Sequence, residues 1–144
     1  MPLLWWRRTI PRWCRSSGGT NGTSPRPSPG DRRDTNTPRA MAGALGRFAV
    51  GAALSKEDRL VLVDWLRDNT TGKGLVRAGV PTDWVVGDKT GSADHGGRND
   101  IAVLWPPGRE PIVIAVLTSR DQEGAERSDA LVADAARAVA GAFG

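Results

Sequence analysis

Three short apolar stretches with a period of two constrain the fold of this chain most strongly. They cover residues 83–89, 99–105 and 112–119, and polar or Gly/Pro-rich connections at residues 91–97 and 106–108 separate them. Alternation with this period is typical of β-strands, in which successive side chains point to opposite faces. Connections this short join antiparallel neighbours, because parallel strands need a long crossover. The pattern therefore predicts a three-stranded antiparallel meander.

Helical patterns flank the predicted meander. Thr37 followed by Pro38 is typical of a helix start, with a hydroxyl N-cap and proline at the first helical position. Ser55 and Asp58 have capping-box spacing at a second start, and a last helix is expected over residues 125–143. The apolar residues three or four apart that we expect to face the core are Met41, Leu45, Phe48, Leu62, Trp65, Leu66, Leu131, Val132, Ala135 and Val139. We predict an α+β fold with helices packed on one face of the sheet.

The first thirty residues differ from the rest of the chain. They hold five arginines and no acidic residue, for a formal charge of +5, whereas residues 31–144 hold 15 basic and 16 acidic residues, for a charge of −1. Proline, serine and glycine abound in this arm, and no hydrophobic period persists in it. We therefore expect residues 1–29 to be a disordered arm and residues 30–144 to form the folded domain. Out-of-frame translation of GC-rich DNA would produce such a composition, and we interpret the arm in this way.

The chemically suggestive residues lie at one predicted strand end, where Lys89, Thr90, Gly91 and Ser92 are followed six residues later by Arg98. A cation, a hydroxyl and a glycine that lets the backbone approach a ligand suit an anionic substrate. Taken alone, Lys-Thr-Gly also fits a charged strand end that runs into a turn. The only histidine has no cysteine or second histidine near it, so we expect neither a metal site nor a cofactor.

The context of this motif resembles the class A serine β-lactamases. Residues 88–92 and 97–106 are similar to the stretch that bears the family's Lys-Thr/Ser-Gly motif. Residues 29–38 are similar to the end of its omega loop, with Asn36 where the family usually has threonine. The similarity runs in order over about 115 of the 144 residues. It implies the C-terminal part of a β-lactamase/transpeptidase-like fold, truncated at its N-terminal side.

The resemblance assigns a role to each motif residue. Lys89 would contribute positive potential, the Thr90 hydroxyl would bind the β-lactam carboxylate, and Gly91 would let the strand pass close to it. The Ser92 backbone N–H would be an oxyanion-hole donor, and Arg98 would add charge for the carboxylate. All five would bind substrate, and the Lys89 side chain and the Ser92 N–H would also serve catalysis. The family reaction hydrolyses the β-lactam amide through a serine acyl-enzyme and so confers antibiotic resistance.

Three elements that this reaction requires are not found in the 144 residues. No serine has lysine three residues on, so the nucleophile motif Ser-x-x-Lys is missing, and Ser-Asp-Asn does not occur. The omega-loop glutamate should fall within residues 10–25, which contain no acidic residue. Acyl transfer needs an activated nucleophile and a base. We therefore expect the chain to be inactive alone.

Two alternatives stay open. A penicillin-binding transpeptidase also carries Lys-Thr-Gly, although Arg98 and residues 30–35 favour the β-lactamase. The basic arm, which contains Trp5, Trp6 and Trp13, would suit a nucleic-acid-binding protein whose affinity falls steeply with salt.

Partners and location follow from the resemblance. It implies that the partner is a β-lactam and not nucleic acid or a membrane. Members of the family are monomers, and we expect the fragment to be prone to aggregation. The family is exported. However, Pro11 and Arg12 interrupt the apolar stretch that a signal peptide would need after Arg7 and Arg8. We therefore expect a cytoplasmic location if the chain is expressed as written.

Overall fold

The computed structural model describes residues 36–143, in which helices cover both faces of a three-stranded sheet. The elements in chain order are α1 (Pro38–Ala49), α2 (Lys56–Arg67), α3 (Val76–Gly79), β1 (Val85–Ser92), β2 (Arg98–Trp105), β3 (Ile112–Val116) and α4 (Asp129–Phe143). The arm expected at residues 1–29 lies outside the described residues. In the part of the chain that is described, no helix is long and apolar enough to cross a membrane.

The sheet is the predicted antiparallel meander, with the strand order β1-β2-β3. β1 and β2 are paired from Val85 and Trp105 at one end to Ser92 and Arg98 at the other. β1 begins at Val85 rather than at residue 83 and ends at Ser92 rather than at residue 89, so the whole motif lies in the paired strand and none of it in the following loop. The strand extends this far because Gly91 pairs with Asn99 of β2 in the same way as the other strand residues.

β3 ends at Val116, before the predicted residue 119. Beyond Val116 the Thr118 side chain, rather than the backbone, bonds to β2. Thr118 Oγ1 accepts a hydrogen bond from Arg98 N at 2.9 Å and donates to Arg98 O at 2.7 Å. The backbone N–H of Thr118 donates to Asn99 Oδ1 at 2.8 Å. Side-chain bonds thus continue the link after the backbone ladder has ended.

β2 is apolar on both faces, and each face meets different helices. Ile101, Val103 and Trp105 belong to the cluster formed with α1 and α2, whereas Ala102 and Leu104 belong to the cluster formed with α3 and α4. The expectation that helices pack on one face was therefore wrong. A strand covered on both sides carries apolar residues at odd and even positions alike, and β2 has this pattern.

Both predicted N-caps, Thr37 and Ser55, are confirmed. Thr37 Oγ1 accepts a hydrogen bond from Ala40 N at 3.1 Å, and Ser55 Oγ accepts one from Asp58 N at 3.0 Å. The Ser55 hydroxyl also donates to the Asp58 carboxylate at 2.8 Å. These bonds satisfy backbone donors that the first turn of a helix leaves without intrahelical partners.

Three large side chains that were predicted to face the core are exposed. Their exposed fractions are 45% for Phe48, 73% for Trp65 and 50% for Leu131. In each case the next residue along the helix is buried: Leu66 and Val132, which were also predicted to face the core, and Ala49, which was not. One residue corresponds to about 100° around a helix. The predicted stripes were therefore too broad, and packing against the sheet decides which of two neighbouring apolar residues is buried.

α4 begins at Asp129, later than the predicted residue 125. Ser128 caps it, since its Oγ accepts a hydrogen bond from Leu131 N at 3.2 Å. Its buried face includes Val132 and Ala136, both in the cluster with α3 and the sheet. The start of α4 places the Asp129 carboxylate against Arg98 at the end of the sheet.

Candidate functional site

The residues singled out from the sequence lie together at one end of the sheet. Lys89, Thr90, Gly91 and Ser92 are the last four residues of β1, and Arg98 is the first residue of β2. The strand register places Ser92 directly opposite Arg98. The short connection between the strands therefore brings the arginine back beside the motif, on the same face of the sheet as Thr90 and Ser92, whereas strand alternation directs Lys89 to the opposite face.

Arg98 contacts both the motif and α4. Its Nη1 donates to Ser92 Oγ at 2.9 Å, while Nε donates to Asp129 Oδ1 at 2.6 Å and Nη2 to Asp129 Oδ2 at 3.3 Å. The hydrogen bond to Asp129 raises the pKa of Arg98. The guanidinium therefore remains charged, while the Asp129 carboxylate offsets part of its positive potential. Sequence reasoning missed Asp129 as a site residue.

Lys89 is exposed, and its ammonium turns back onto its own strand. Its Nζ donates to the carbonyl oxygen of Thr90 at 2.6 Å. Within residues 36–143 Lys89 takes part in none of the salt bridges. An anion at this end of the sheet would compete only with a neutral carbonyl for the Lys89 charge.

The Thr90 hydroxyl meets a second hydroxyl that sequence reasoning also missed. Thr71 Oγ1 lies 2.6 Å from Thr90 Oγ1, and the Thr71 hydroxyl donates to Asn69 Oδ1 at 2.8 Å. Thr71 belongs to the segment between α2 and α3, which the sequence indicated only as a helix end. No period or motif links that segment to β1, so the sequence carries no signal for this contact.

A partly buried ion pair between Arg77 and Asp88 lies beneath the motif. Asp88 is fully buried, and its carboxylate accepts hydrogen bonds from Arg77 Nε and from Asn69 Nδ2, each at 2.5 Å. Arg77 also donates to two backbone carbonyls at the end of α2, at 3.2 and 2.9 Å. The pair thereby joins α2, α3 and β1 next to the motif. Gly72 makes room for it, because a Cβ at that position would collide with the Asp88 carboxylate.

A second carboxyl group is buried behind the motif. Asp100 is the strand partner of Thr90 and is fully buried. Its Oδ2 accepts a hydrogen bond from Val76 N at 3.1 Å, whereas its Oδ1 has no hydrogen-bond partner among the described residues. Burial, and after it the negative charge of Asp88, raises the pKa of Asp100 to about 7. The charge behind Thr90 therefore changes near neutral pH.

The hydrogen-bond donors at this end of the sheet are suited to binding a small anion. They comprise one ammonium, one guanidinium and the hydroxyls of Thr90 and Ser92, and such donors bind carboxylates through charge-assisted hydrogen bonds. Among residues 36–143 no group of three or more histidine, cysteine or acidic side chains is placed to hold a metal ion. His95 lies in the connection between β1 and β2, and its Nδ1 has no hydrogen-bond partner in the described part of the chain.

Comparisons with known proteins point to one group of enzymes. The family model described as "Beta-lactamase enzyme family" matches residues 5–143. A β-lactamase from Amycolatopsis lactamdurans is 65% identical over 116 residues, which are 81% of this chain and 38% of that protein. Beta-lactamase 3 from Bacillus cereus is 51% identical over 112 residues, which are 78% of this chain and 35% of that protein. The chain thus spans well under half the length of these relatives.

A solved structure gives the same result for the fold. The β-lactamase from Streptomyces albus G matches with a TM-score of 0.79 at 50% sequence identity. The match covers 81% of this chain and 44% of that chain. At this identity and TM-score, the meander and its flanking helices are the same structural unit in both proteins.

Proposed function

Because this chain belongs to the β-lactamase enzyme family, as its resemblance to the class A enzymes indicated, we propose that the end of β1 and the start of β2 form one wall of a β-lactam-binding site. The observation that carries the proposal is the hydrogen bond from Arg98 Nη1 to Ser92 Oγ at 2.9 Å. It sets a guanidinium beside the strand that also bears Lys89 and Thr90. Two cations and two hydroxyls at this end of the sheet attract and orient the carboxylate of a β-lactam.

The five residues have complementary roles in this proposal. Thr90 and Ser92 donate hydroxyl hydrogen bonds to the substrate carboxylate, and Lys89 and Arg98 supply the positive potential that draws it in. Gly91 lets the strand backbone approach the substrate. The backbone N–H of Ser92 donates to the β-lactam carbonyl oxygen as negative charge develops on it. Donors of this kind act on the transition state, and losing one costs roughly 10²–10³ in rate.

The reaction we propose for the complete site is hydrolysis of the β-lactam amide through a serine acyl-enzyme. The 144-residue sequence contains neither Ser-x-x-Lys nor Ser-Asp-Asn. A wall that binds and polarises the substrate does not open the ring without a nucleophile and a base. We therefore propose that this polypeptide is inactive alone, and that activity requires a second polypeptide segment that supplies those groups.

Nitrocefin hydrolysis tests this function. The purified chain is assayed alone and together with the part of the Amycolatopsis lactamdurans β-lactamase that lies outside the segment similar to this chain. We expect no turnover by either polypeptide alone and measurable turnover by the mixture. Lys89→Ala should lower that turnover by about 10- to 100-fold, because a hydrogen bond to a charged group is lost. Lys56→Ala, at an exposed position of α2, is the matched control and should leave the turnover unchanged.

Two results would contradict the proposal. Turnover by the chain alone that Lys89→Ala abolishes would mean that a serine outside any Ser-x-x-Lys motif acts as the nucleophile. A mixture that forms a folded complex and yet neither binds nor hydrolyses nitrocefin would refute the proposed site. The transpeptidase and nucleic-acid alternatives are not favoured, because the relatives reported above are β-lactamases.

A further inference from the structure

The hydrogen bonds around Thr71 determine where the hydroxyl protons of this surface lie. Thr71 Oγ1 has two close oxygen neighbours, Asn69 Oδ1 at 2.8 Å and Thr90 Oγ1 at 2.6 Å. Two oxygen atoms approach this closely only when a proton lies between them. Each hydroxyl carries one proton, and an amide oxygen carries none. The position of every proton in this group can therefore be derived.

The Asn69 amide has only one orientation that suits its neighbours. Its Nδ2 donates to the Asp88 carboxylate at 2.5 Å, and its Oδ1 accepts from the backbone N–H of Thr71 at 3.1 Å. Exchanging the two amide atoms would set an oxygen against the carboxylate and a donor against the N–H. Asp88 is itself fixed by Arg77, whose Nε lies 2.5 Å from Oδ1. Asn69 Oδ1 is therefore an acceptor directed at Thr71.

The remaining protons follow from this orientation. Asn69 Oδ1 has no proton, so the proton in its contact with Thr71 Oγ1 is that of Thr71. The contact between Thr71 and Thr90 must then use the proton of Thr90. The relay runs from Thr90 to Thr71 to Asn69, and the buried Asp88 anchors it. In this arrangement the Thr90 hydroxyl donates within the protein and has only lone pairs to offer a ligand.

We propose that Thr71 is a positioning residue that holds the Thr90 hydroxyl proton and thereby lowers the affinity of the site for carboxylates. To bind a carboxylate, Thr90 must withdraw its proton from Thr71 and turn it towards the ligand. Ser92 differs, because its hydroxyl oxygen accepts from Arg98 Nη1 at 2.9 Å and this bond does not use the Ser92 proton. A carboxylate therefore gains the Ser92 bond without loss, whereas the Thr90 bond requires breaking the contact with Thr71. The inference rests on the proposed function, since it concerns that site's carboxylate.

Neutron diffraction from crystals of the deuterium-exchanged full chain tests the proton arrangement directly. We expect the Thr90 deuterium to lie on the line to Thr71 Oγ1 and the Thr71 deuterium on the line to Asn69 Oδ1. A Thr71 deuterium directed at Thr90 would overturn the proposal, because the Thr90 proton would then be available to a ligand. This measurement needs no ligand, so it decides the proposal even if the chain binds no β-lactam, a result that would contradict only the proposed function.

Ligand titration tests the consequence for affinity. Benzylpenicillin and its methyl ester are titrated into the ¹⁵N-labelled full chain and followed by NMR. Thr71→Val has nearly the same shape as threonine and removes the acceptor of the Thr90 proton. It should tighten binding of the acid by between about 2-fold and about 10-fold, the equivalent of one neutral hydrogen bond, and leave the ester unchanged.

The control variants separate positioning from a general structural effect. Thr71→Ser keeps the hydroxyl and should restore wild-type affinity, and Thr70→Val makes the same chemical change at the neighbouring residue without effect. Thr71→Ala removes the same acceptor and replaces the valine variant if that one does not fold. Acid affinity that is unchanged or weaker in the folded variants lacking the Thr71 hydroxyl would overturn the proposal.

Discussion

The guanidinium of Arg98 and the carboxylate of Asp129 face each other at two points, with Nε 2.6 Å from Oδ1 and Nη2 3.3 Å from Oδ2. The two residues are 31 positions apart in the chain, one at the start of β2 and the other at the start of α4. The pair therefore fastens α4 to the end of the sheet that bears the motif. It also sets how much of the Arg98 charge is offered to an anion.

Asp129→Asn should strengthen carboxylate binding while it weakens the fold slightly. The neutral amide no longer offsets the Arg98 charge, so the affinity for benzylpenicillin should rise. The substitution removes an exposed ion pair and a negative charge from the first turn of α4, which together contribute about 0.5–1 kcal/mol. NMR titration and urea unfolding measure the two effects. Asp134→Asn breaks the exposed Arg137 pair in the same helix and is the control for binding; equal affinities in the two variants would contradict the prediction.

The stability of the chain should fall as the pH rises from about 4 to about 7. Burial, and then the charge of Asp88, raises the pKa of Asp100 from 3.8 to about 7. In this range the unfolded chain releases the Asp100 proton while the folded chain keeps it, so ionisation favours the unfolded state. Below this range both states are protonated, and above it both are ionised, so the contribution of Asp100 is constant there. Urea unfolding as a function of pH measures it.

Asp100→Asn provides the matched test of that pH dependence. Asparagine keeps an acceptor for the Val76 N–H and carries no charge, so the variant should lose the decline between pH 4 and 7. At pH 8 it should be more stable than the wild type by about 1–3 kcal/mol. Asp83→Asn, at an exposed position, should retain the wild-type profile. A decline of wild-type steepness in Asp100→Asn would assign the effect to another group.

Gly72→Ala should destabilise the chain because its Cβ would collide with the Asp88 carboxylate. Asp88 cannot move aside without loosening its bonds to Arg77 and Asn69, so a loss of about 1–3 kcal/mol is expected. Gly43→Ala is the opposite case, since it lies in α1 with nothing within 4 Å of the new Cβ. Alanine there should add up to about 1 kcal/mol through helix propensity. Chemical denaturation of both variants gives the comparison, and equal stability of Gly72→Ala and wild type would refute this account.

The chain should self-associate through β3 when no complementing polypeptide is present. In the described part of the chain β3 pairs with β2 alone, so its other edge offers backbone groups to any strand that reaches it. Sedimentation velocity over a range of concentrations should show oligomers that decrease when the complementing segment of a relative is added. A chain that stays monomeric at every concentration and melts cooperatively would contradict the prediction.

The types of the elements could be read from the sequence because local signals specify them. The hydroxyl caps Thr37 and Ser55, the period of two before and after the motif, and the turn residues between strands all act within a few residues of one another. These signals predicted the meander and every long helix. They also placed Lys89, Thr90, Ser92 and Arg98 at one strand end, because the register of an antiparallel pair follows from a short connection.

The sequence was less informative about which side of each element is buried. Phe48 and Trp65 belong to broad apolar stripes, and only the approach of the helices to the sheet determined that these two side chains are exposed while Ala49 and the predicted core residue Leu66 are buried. The continuous apolar run of β2 does not by itself show which faces of the sheet are covered. Only the structure shows that helices lie on both faces.

The sequence by itself therefore determined the order of helices and strands, the family resemblance and the polar motif, since each depends on neighbouring residues or on short spacings. Only the tertiary structure decided what holds that motif. Asn69 and Thr71 reach β1 from the segment after α2, Arg77 reaches Asp88 from α3, and Asp129 reaches Arg98 from α4. These contacts join residues 11 to 31 positions apart. No local pattern encodes them, because the packing of separate elements brings the partners together.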